Sequence, residues 1–544
     1  VLLFVSQFQT RFTLVQNAED NIMAITDRRS KVLFLPLVRS FFNAELGKRA
    51  KRYAMDAAGE LGVDGIFPED DKYTGGSICS DEDVRGYYDV WRKELSDIKA
   101  MVIIGGNFME ERGFQDTLRL LPDDVPVFLI FQNDNPSKMD FPNRGDALCG
   151  SLSIHANARL LGREVVSSSG IDLADRNVLI TVLRSYMKTI DGIESLRNMR
   201  VALVGVNPVE FATTFTNQVE LFRLGFSLHT YELLDLWGGT VLAGKQEEHK
   251  EEMEKVFPGM TPDNPIYPSD PRVAETRETL ADVIANSHIP QDKVDLMIRC
   301  FLWIRDVFER DRIDTGGIHC WTSFERYFQI TPCTFAAMAN SMLEKPLVCE
   351  TDICHAIVTK LAWDVTGEPG VILDINNPGW DPRIFNVFHC SQTPPEWIEG
   401  QARMTNQEII EGDAAVGEGN AFGPVEGDIV ATPFTAVSAA TTSDAFHTTV
   451  FQGQILKESV GSFGSNGWAF VPNLDEVLDE VHRTGIHHTV LMKGHHGPEV
   501  VKALAFRGCF VADCVEEVPS AAEIEGDLGP IPESGRSVCA VHSQ

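Results

Sequence analysis

VLFLPLV (32–38), AELGKRAKRYAMDAAGEL (44–61), MVIIGG (101–106) and VPVFLIFQ (125–132) decide the fold class. Short apolar runs alternate with a segment whose apolar residues recur at the helical period. That rhythm predicts buried parallel strands connected by helices that cover both faces of a sheet. Residues 31–170 are therefore expected to form one doubly wound α/β domain, preceded by an N-terminal extension over 1–30. The pattern restarts after a helix expected over 174–196. It runs through MRVALVGVNP (199–208), a helical stretch to Leu224, and helices at Lys245 to Val256, Val273 to Ala285 and Gln291 to Arg310. A second doubly wound α/β domain is expected over 171–365.

Beyond Gly367, glycine and proline become frequent and short β-rich segments dominate: GVILDI (370–375), DIVATPFTAV (428–437), TTVFQGQIL (448–456) and GWAFVP (467–472). A late helix, LDEVLDEVH (474–482), and an α/β ending through HHTVLMKG, PEVVKALAF and CFVADCV follow. Residues 366–544 are thus expected to be a mostly β C-terminal domain. The acidic, small-residue stretch over 408–428 is expected to be a surface loop.

The 544 residues exceed what one hydrophobic core usually supports, in keeping with several domains. Asp and Glu outnumber Lys and Arg by 79 to 47, and the formal charge of −32 repels nucleic acid and anionic membranes. The 11 cysteines are odd in number, scattered and never spaced C-x-x-C, which indicates reduced thiols in a cytoplasmic protein. The opening VLLFVSQF is too short to span a bilayer. There is no G-x-S-x-G, P-loop or G-x-G-x-x-G motif, so hydrolase, kinase and dinucleotide-binding readings lose their usual support.

Candidate chemistry concentrates in the second half: Glu350 in PLVCETDICHA, Asp374 in GVILDINNPGW, His389 in FNVFHCSQTPP, and His487 and His488 in GIHHTVLMKG. Carboxylate with neutral imidazole suits a hard or borderline divalent cation such as Mn²⁺, and the lack of a thiolate pair argues against structural zinc. Each residue also has a plainer reading. Glu350 is compatible with an exposed strand end, Asp374 with a turn, and His389 with a core histidine. Asp352 is expected to cap the helix ICHAIVTKLAW, leaving His355 on its surface. Strand alternation would turn Cys349 and Cys390 away from the candidate ligands and put His487 and His488 on opposite faces.

In order and spacing these segments resemble the L-fucose isomerase and L-arabinose isomerase superfamily. CETDICHAI supplies Glu350, VILDINN supplies Asp374 24 positions later, and the HHT segment is similar to that of the arabinose isomerase branch. His389, 15 positions after Asp374, matches an additional histidine of that branch. The resemblance implies a fucose isomerase-like fold and a metal-dependent aldose–ketose isomerase working through a cis-enediol. Glu350 and Asp374 would be the acid/base pair and, with His488, the metal ligands. His389 and His487 would be substrate or supporting partners. The implied cofactor is Mn²⁺, or another divalent ion such as Co²⁺ or Mg²⁺. The resemblance also implies a homo-oligomer, a trimer or hexamer, in which Arg39 of FLPLVRSFF contacts substrate in trans. The substrate would be a small sugar: a pentose, a 6-deoxyhexose or a hexose with an anionic C6 group such as a sulfonate. A non-catalytic sugar-binding protein on the same scaffold, and a metal-dependent lyase or epimerase, are the competing classes.

Overall fold

The computed structural model describes residues 29–528 apart from 71, 74–75 and 287. The apolar opening VLLFVSQF and nearly all of the expected N-terminal extension lie outside the described residues. The chain divides into two compact units, residues 1–194 and 195–544.

The first unit is built on five parallel strands, β1 (Lys31–Leu37), β2 (Gly65–Ile66), β3 (Ile98–Gly105), β4 (Val127–Phe131) and β5 (Val166–Ser167), in the order β2-β1-β3-β4-β5. The expected strands VLFLPLV, MVIIGG and VPVFLIFQ become β1, β3 and β4. They are apolar throughout because helices cover the sheet. Helix Arg176–Ser195 ends this unit. The Tyr186 hydroxyl donates to the Leu129 carbonyl at 2.8 Å, and Lys99 pairs with Asp191 at 2.6 Å. These contacts correct the expected boundary at 170: the helix is bound to the first sheet.

The second unit begins with β6 (Arg200–Val204) and β7 (Ser227–Tyr231), continues through β8 (Ile284–Asn286), β9 (Thr315–Ile318) and β10 (Leu347–Val348), and reaches helix Ile353–Thr366. Four of these strands form a parallel sheet in the order β10-β9-β6-β7. The rest of the chain contributes β11 (Val371–Pro378), β12 (Ile384–His389), β13 (Ala402–Asn406), β14 (Phe422–Asp428), β15 (Pro433–Thr441), β16 (Phe446–Ile455), β17 (Ser465–Phe470), β18 (His488–Lys493) and β19 (Phe510–Cys514). With β8 these make a mixed ten-stranded sheet in the order β19-β16-β15-β18-β11-β12-β17-β14-β13-β8. A further antiparallel pairing of β16 with β17 closes six of the strands, β15, β16, β17, β12, β11 and β18, into a ring. Closure satisfies backbone groups that sheet edges would expose.

The architecture is therefore α/β with parallel sheets and a large mixed C-terminal sheet. The expected boundary at 365 does not separate compact units. Strand β8 pairs with β13, and one apolar cluster runs from Ala202 through Trp303 and Phe335 to Phe451 and Cys514. The stretch over 408–428 also departs from a surface loop. Ile410, Val416 and Ala421 are buried together, and Phe422–Asp428 is strand β14. No helix among the described residues is long and apolar enough to cross a membrane.

Candidate metal centre

Strand β10 runs parallel to β9 and ends in a tight turn, Cys349–Thr351, before helix Ile353–Thr366 begins. Glu350 (φ 57°, ψ 15°) and Thr351 (φ 52°) both adopt the left-handed conformation. For L-residues that costs about 1–2 kcal/mol each, so the surroundings must hold the turn in place. The loop after β6 does much of this. Asn207 Nδ2 donates to the carbonyls of Glu350 (3.4 Å) and Thr351 (3.2 Å), and Thr214 Oγ1 donates to the Glu350 carbonyl (3.1 Å). Thr351 Oγ1 donates back to the Val206 carbonyl at 3.1 Å, and the Glu350 amide donates to Cys320 Sγ at 3.3 Å. Gly317 on β9 permits the close approach, since a Cβ there would lie 2.8 Å from the Thr351 carbonyl carbon. The strand and turn of VALVGVNP thus serve to shape the Glu350 turn.

Asp374 lies on β11 directly opposite His488 on the antiparallel neighbour β18. Directly paired residues project from the same face, so register alone brings them together. His488 Nε2 is 3.5 Å from Asp374 Oδ1 and 3.7 Å from Glu350 Oε2. His487 joins them, with Nε2 3.7 Å from Asp374 Oδ1 and 3.9 Å from Glu350 Oε2. The expectation that the histidine doublet splits between faces is corrected here. Only His488 belongs to the strand, and His487 sits in the segment leaving helix Leu474–Thr484, after Gly485 at φ 70°. Its Nδ1 is 3.3 Å from Thr213 Oγ1.

Asp352 caps its helix as expected, accepting from the His355 amide at 3.1 Å, but it does more. Its Oδ2 lies 2.7 Å from His355 Nδ1 and 2.8 Å from His488 Nδ1. His355 is fully buried, not on the helix surface, and its Nε2 accepts from the Ala439 amide at 3.1 Å. That acceptor role places the His355 proton on Nδ1, where it is donated to Asp352. Asp352 therefore receives N–H groups from two imidazoles and aims His488 Nε2 at Glu350 and Asp374. A carboxylate behind a histidine is the usual arrangement where the other ring nitrogen binds a metal.

His389, at the end of β12, is buried, with Nε2 3.2 Å from Cys349 Sγ and Nδ1 3.7 Å from Cys390 Sγ. The expectation that both cysteines face away fails because Cys349 lies in the 349–351 turn and Cys390 follows the last residue of β12, so strand alternation applies to neither. Arg39 belongs to the first unit. Its guanidinium pairs with Glu111 at 3.2 Å and stacks over Phe108 at 4.6 Å from the ring centre.

The charges are strongly coupled. Burial pushes the Glu350 carboxyl up to about 7, with Asp374 and Asp352 adding to the shift and His488 opposing it. Burial likewise raises Asp374 to about 6 against the pull of His488. For His488 burial works downward, but Glu350, Asp352 and Asp374 outweigh it and hold the ring at about 9. Burial would raise Asp352 too, yet His355 and His488 keep it well below the ordinary carboxylate range. Burial and the charge of His488 depress His487 to about 4, and burial with both histidines depresses His389 to about 3.

The residues fit a divalent cation. Ligand atoms of Glu350, His487 and His488 lie within 4.8 Å of one another. Glu350 Oε2 and His488 Nε2 are buried without any hydrogen-bond partner. Buried polar atoms normally find partners, and two that converge while unsatisfied are what a metal position requires. Beside the cluster opens a cavity of about 670 Å³, whose lining includes His487, Asn376, Asn377, Trp380 and His482.

The structure brings together Glu350, Asp374 and the histidine doublet named from the sequence, and adds Asn207, Thr214, Cys320 and His355, which sequence reasoning missed, as their neighbours. Only the Asp352/His355 spacing, one helical turn apart, carried a readable hint.

Residues 34–197 match the family model described as the fucose/sulfoquinovose isomerase N-terminal domain. The match covers less than a third of the chain and is a likeness to that N-terminal domain. No curated protein matches the chain.

Proposed function

We propose that the chain interconverts an aldose and a ketose by proton transfer through a cis-enediol, at the cluster formed by Glu350, Asp374 and His488, with Mn²⁺ as the divalent cofactor. The observation that carries this reading is the convergence of two buried carboxylates of raised proton affinity on a histidine whose free Nε2 has no partner. Glu350, Asp374 and His488 would hold the cation. Bound there, it would supply a Lewis acid that makes the hydrogen on C2 of an open-chain sugar more acidic.

The chain's own residues supply the proton movement. One carboxylate accepts the proton from C2 and the other delivers one to C1. Asp352 fixes the orientation of His488, and Thr213 that of His487. The adjoining cavity lies within the size range of small-molecule sites.

The substrate reading covers neutral aldoses and hexoses with an anionic C6 group; the family description, which names both fucose and sulfoquinovose, favours keeping both. Contact by Arg39 in trans within a trimer or hexamer, and a cytoplasmic location, belong to the same proposal. The test is a panel of neutral and C6-sulfonated aldoses assayed for ketose with metal-stripped protein, before and after Mn²⁺. Ketose formed only with Mn²⁺, and lost in Glu350→Gln, supports the proposal. Sugar binding without conversion would leave the non-catalytic reading.

A further inference from the structure

Glu350 faces two sets of donors. One is His488, His487 and Asp374, with oxygen and imidazole ligands only. The other is Cys349 Sγ and His389 Nε2, 3.2 Å apart, and one ligand atom from each of Cys349, Glu350 and His389 falls within 4.8 Å of the others. All three residues are buried: Cys349 is 2% exposed, Glu350 8% and His389 1%. Glu350 Oε2 has no hydrogen-bond partner. Cys390 Sγ, 3.7 Å from His389 Nδ1, gives the far nitrogen of that ring a sulfur neighbour and leaves Nε2 toward Cys349.

We propose that Cys349, His389 and Glu350 form a second cation position, beside the first and sharing its glutamate, that takes a thiophilic divalent ion such as Zn²⁺. Hard ions prefer the oxygen-rich side. Thiolate and imidazole together select zinc-like ions, which accept three protein ligands and leave one position open. On binding, a metal–sulfur bond forms, the S–H bond of Cys349 breaks, and its proton passes to solvent with no change in oxidation state. The turn that puts Glu350 in the left-handed conformation makes the arrangement possible, because an extended strand would point Cys349 away from His389. The inference is independent of which sugar, if any, the protein converts.

Co²⁺ serves as the probe, because thiolate coordination gives it a near-ultraviolet charge-transfer band that carboxylate and imidazole ligands do not. Adding Co²⁺ to metal-free, full-length protein is expected to produce that band. One equivalent of Zn²⁺ should bleach it, and Mn²⁺ in about tenfold excess should not. Cys349→Ala and His389→Gln, made separately and checked by circular dichroism, should each lose the band, so a folding defect in one leaves the other to decide. Asp374→Asn should retain it. Absence of the band in the unmodified protein, or its persistence in the Cys349 variant, overturns the proposal. Neither result bears on Mn²⁺-dependent isomerisation, which is read separately by ketose formation.

Discussion

Asp374 and His488 face each other across the antiparallel pair β11–β18, with the carboxylate oxygen 3.5 Å from Nε2 and the other ring nitrogen held by Asp352 at 2.8 Å. Two residues 114 positions apart in sequence thus become neighbours through register alone. From this pair follows a set of expectations about how cation, protons and fold are coupled.

In Asp352→Asn a single oxygen must serve where two did: Oδ1 accepts from the His355 amide and Oδ2 from both imidazole N–H groups, so the NH₂ opposes either the cap or the rings, and the negative charge behind His488 is lost. Mn²⁺ affinity should fall by roughly 10–100-fold, the usual cost of losing the carboxylate behind a ligating histidine. Titration of free Mn²⁺ by electron paramagnetic resonance reads this. Unchanged affinity would contradict the orienting role.

Cation binding must displace protons from His488 (about 9), Glu350 (about 7) and Asp374 (about 6). Apparent Mn²⁺ affinity should therefore rise with pH, by about one power of ten per pH unit for each proton displaced. The slope should be steepest below pH 6 and shallow by pH 8, where His488 alone still carries its proton. Calorimetry in buffers of different ionisation enthalpy counts the protons. A pH-independent affinity between 5 and 8 would contradict these assignments.

The same shifts cost stability in the metal-free protein. The folded-state values of Glu350, Asp374 and His488 all lie above their ordinary ones, so the native state binds more protons than the unfolded state. The contribution of the carboxylates is lost as pH rises through 6 and 7, and that of His488 as it rises through 9. Glu350→Gln removes a buried charge and should stabilise the metal-free protein at pH 8 by about 1 kcal/mol or more while abolishing turnover. Thermal unfolding with and without Mn²⁺ measures it. A lower melting temperature in the metal-free variant would oppose this reading.

Asn207→Ala withdraws donors from the carbonyls of Glu350 and Thr351. Loss of stability by about 1–2 kcal/mol in urea unfolding is expected, since the Thr351 carbonyl loses its Asn207 donor and the Glu350 carbonyl keeps only Thr214 Oγ1. Turnover should fall as well, because Glu350 is no longer held in its left-handed conformation. An Asn207→Ala protein of unchanged stability and activity would show that the turn needs no such support.

Much of the fold was legible because it rests on local patterns. VLFLPLV, MVIIGG and VPVFLIF are apolar at every position, as strands covered on both faces must be. The Gly- and Pro-rich change after Gly367 marked the mostly β region. Ring closure, which needs β17 to pair with β12 as well as with β16, and the reach of β8 to β13 were not legible, since partners so far apart in sequence leave no local trace. The site divided in the same way. Residue type and order pointed to Glu350, Asp374 and the histidine doublet. Alternation misplaced Cys349 and His487, because one lies in a turn and the other just before its strand. His355 reads as an ordinary helix residue until Ala439 and Asp352 are brought against its two nitrogens.

Proton NMR of the ketose formed from an active aldose in D₂O, with metal-stripped protein and with Mn²⁺ restored, tests the proposed reaction most directly. The account predicts no conversion without the cation, and with it a ketose carrying solvent deuterium at C1, both abolished in Glu350→Gln. Full conversion by the metal-stripped protein, or a ketose with no solvent deuterium at C1, would contradict it.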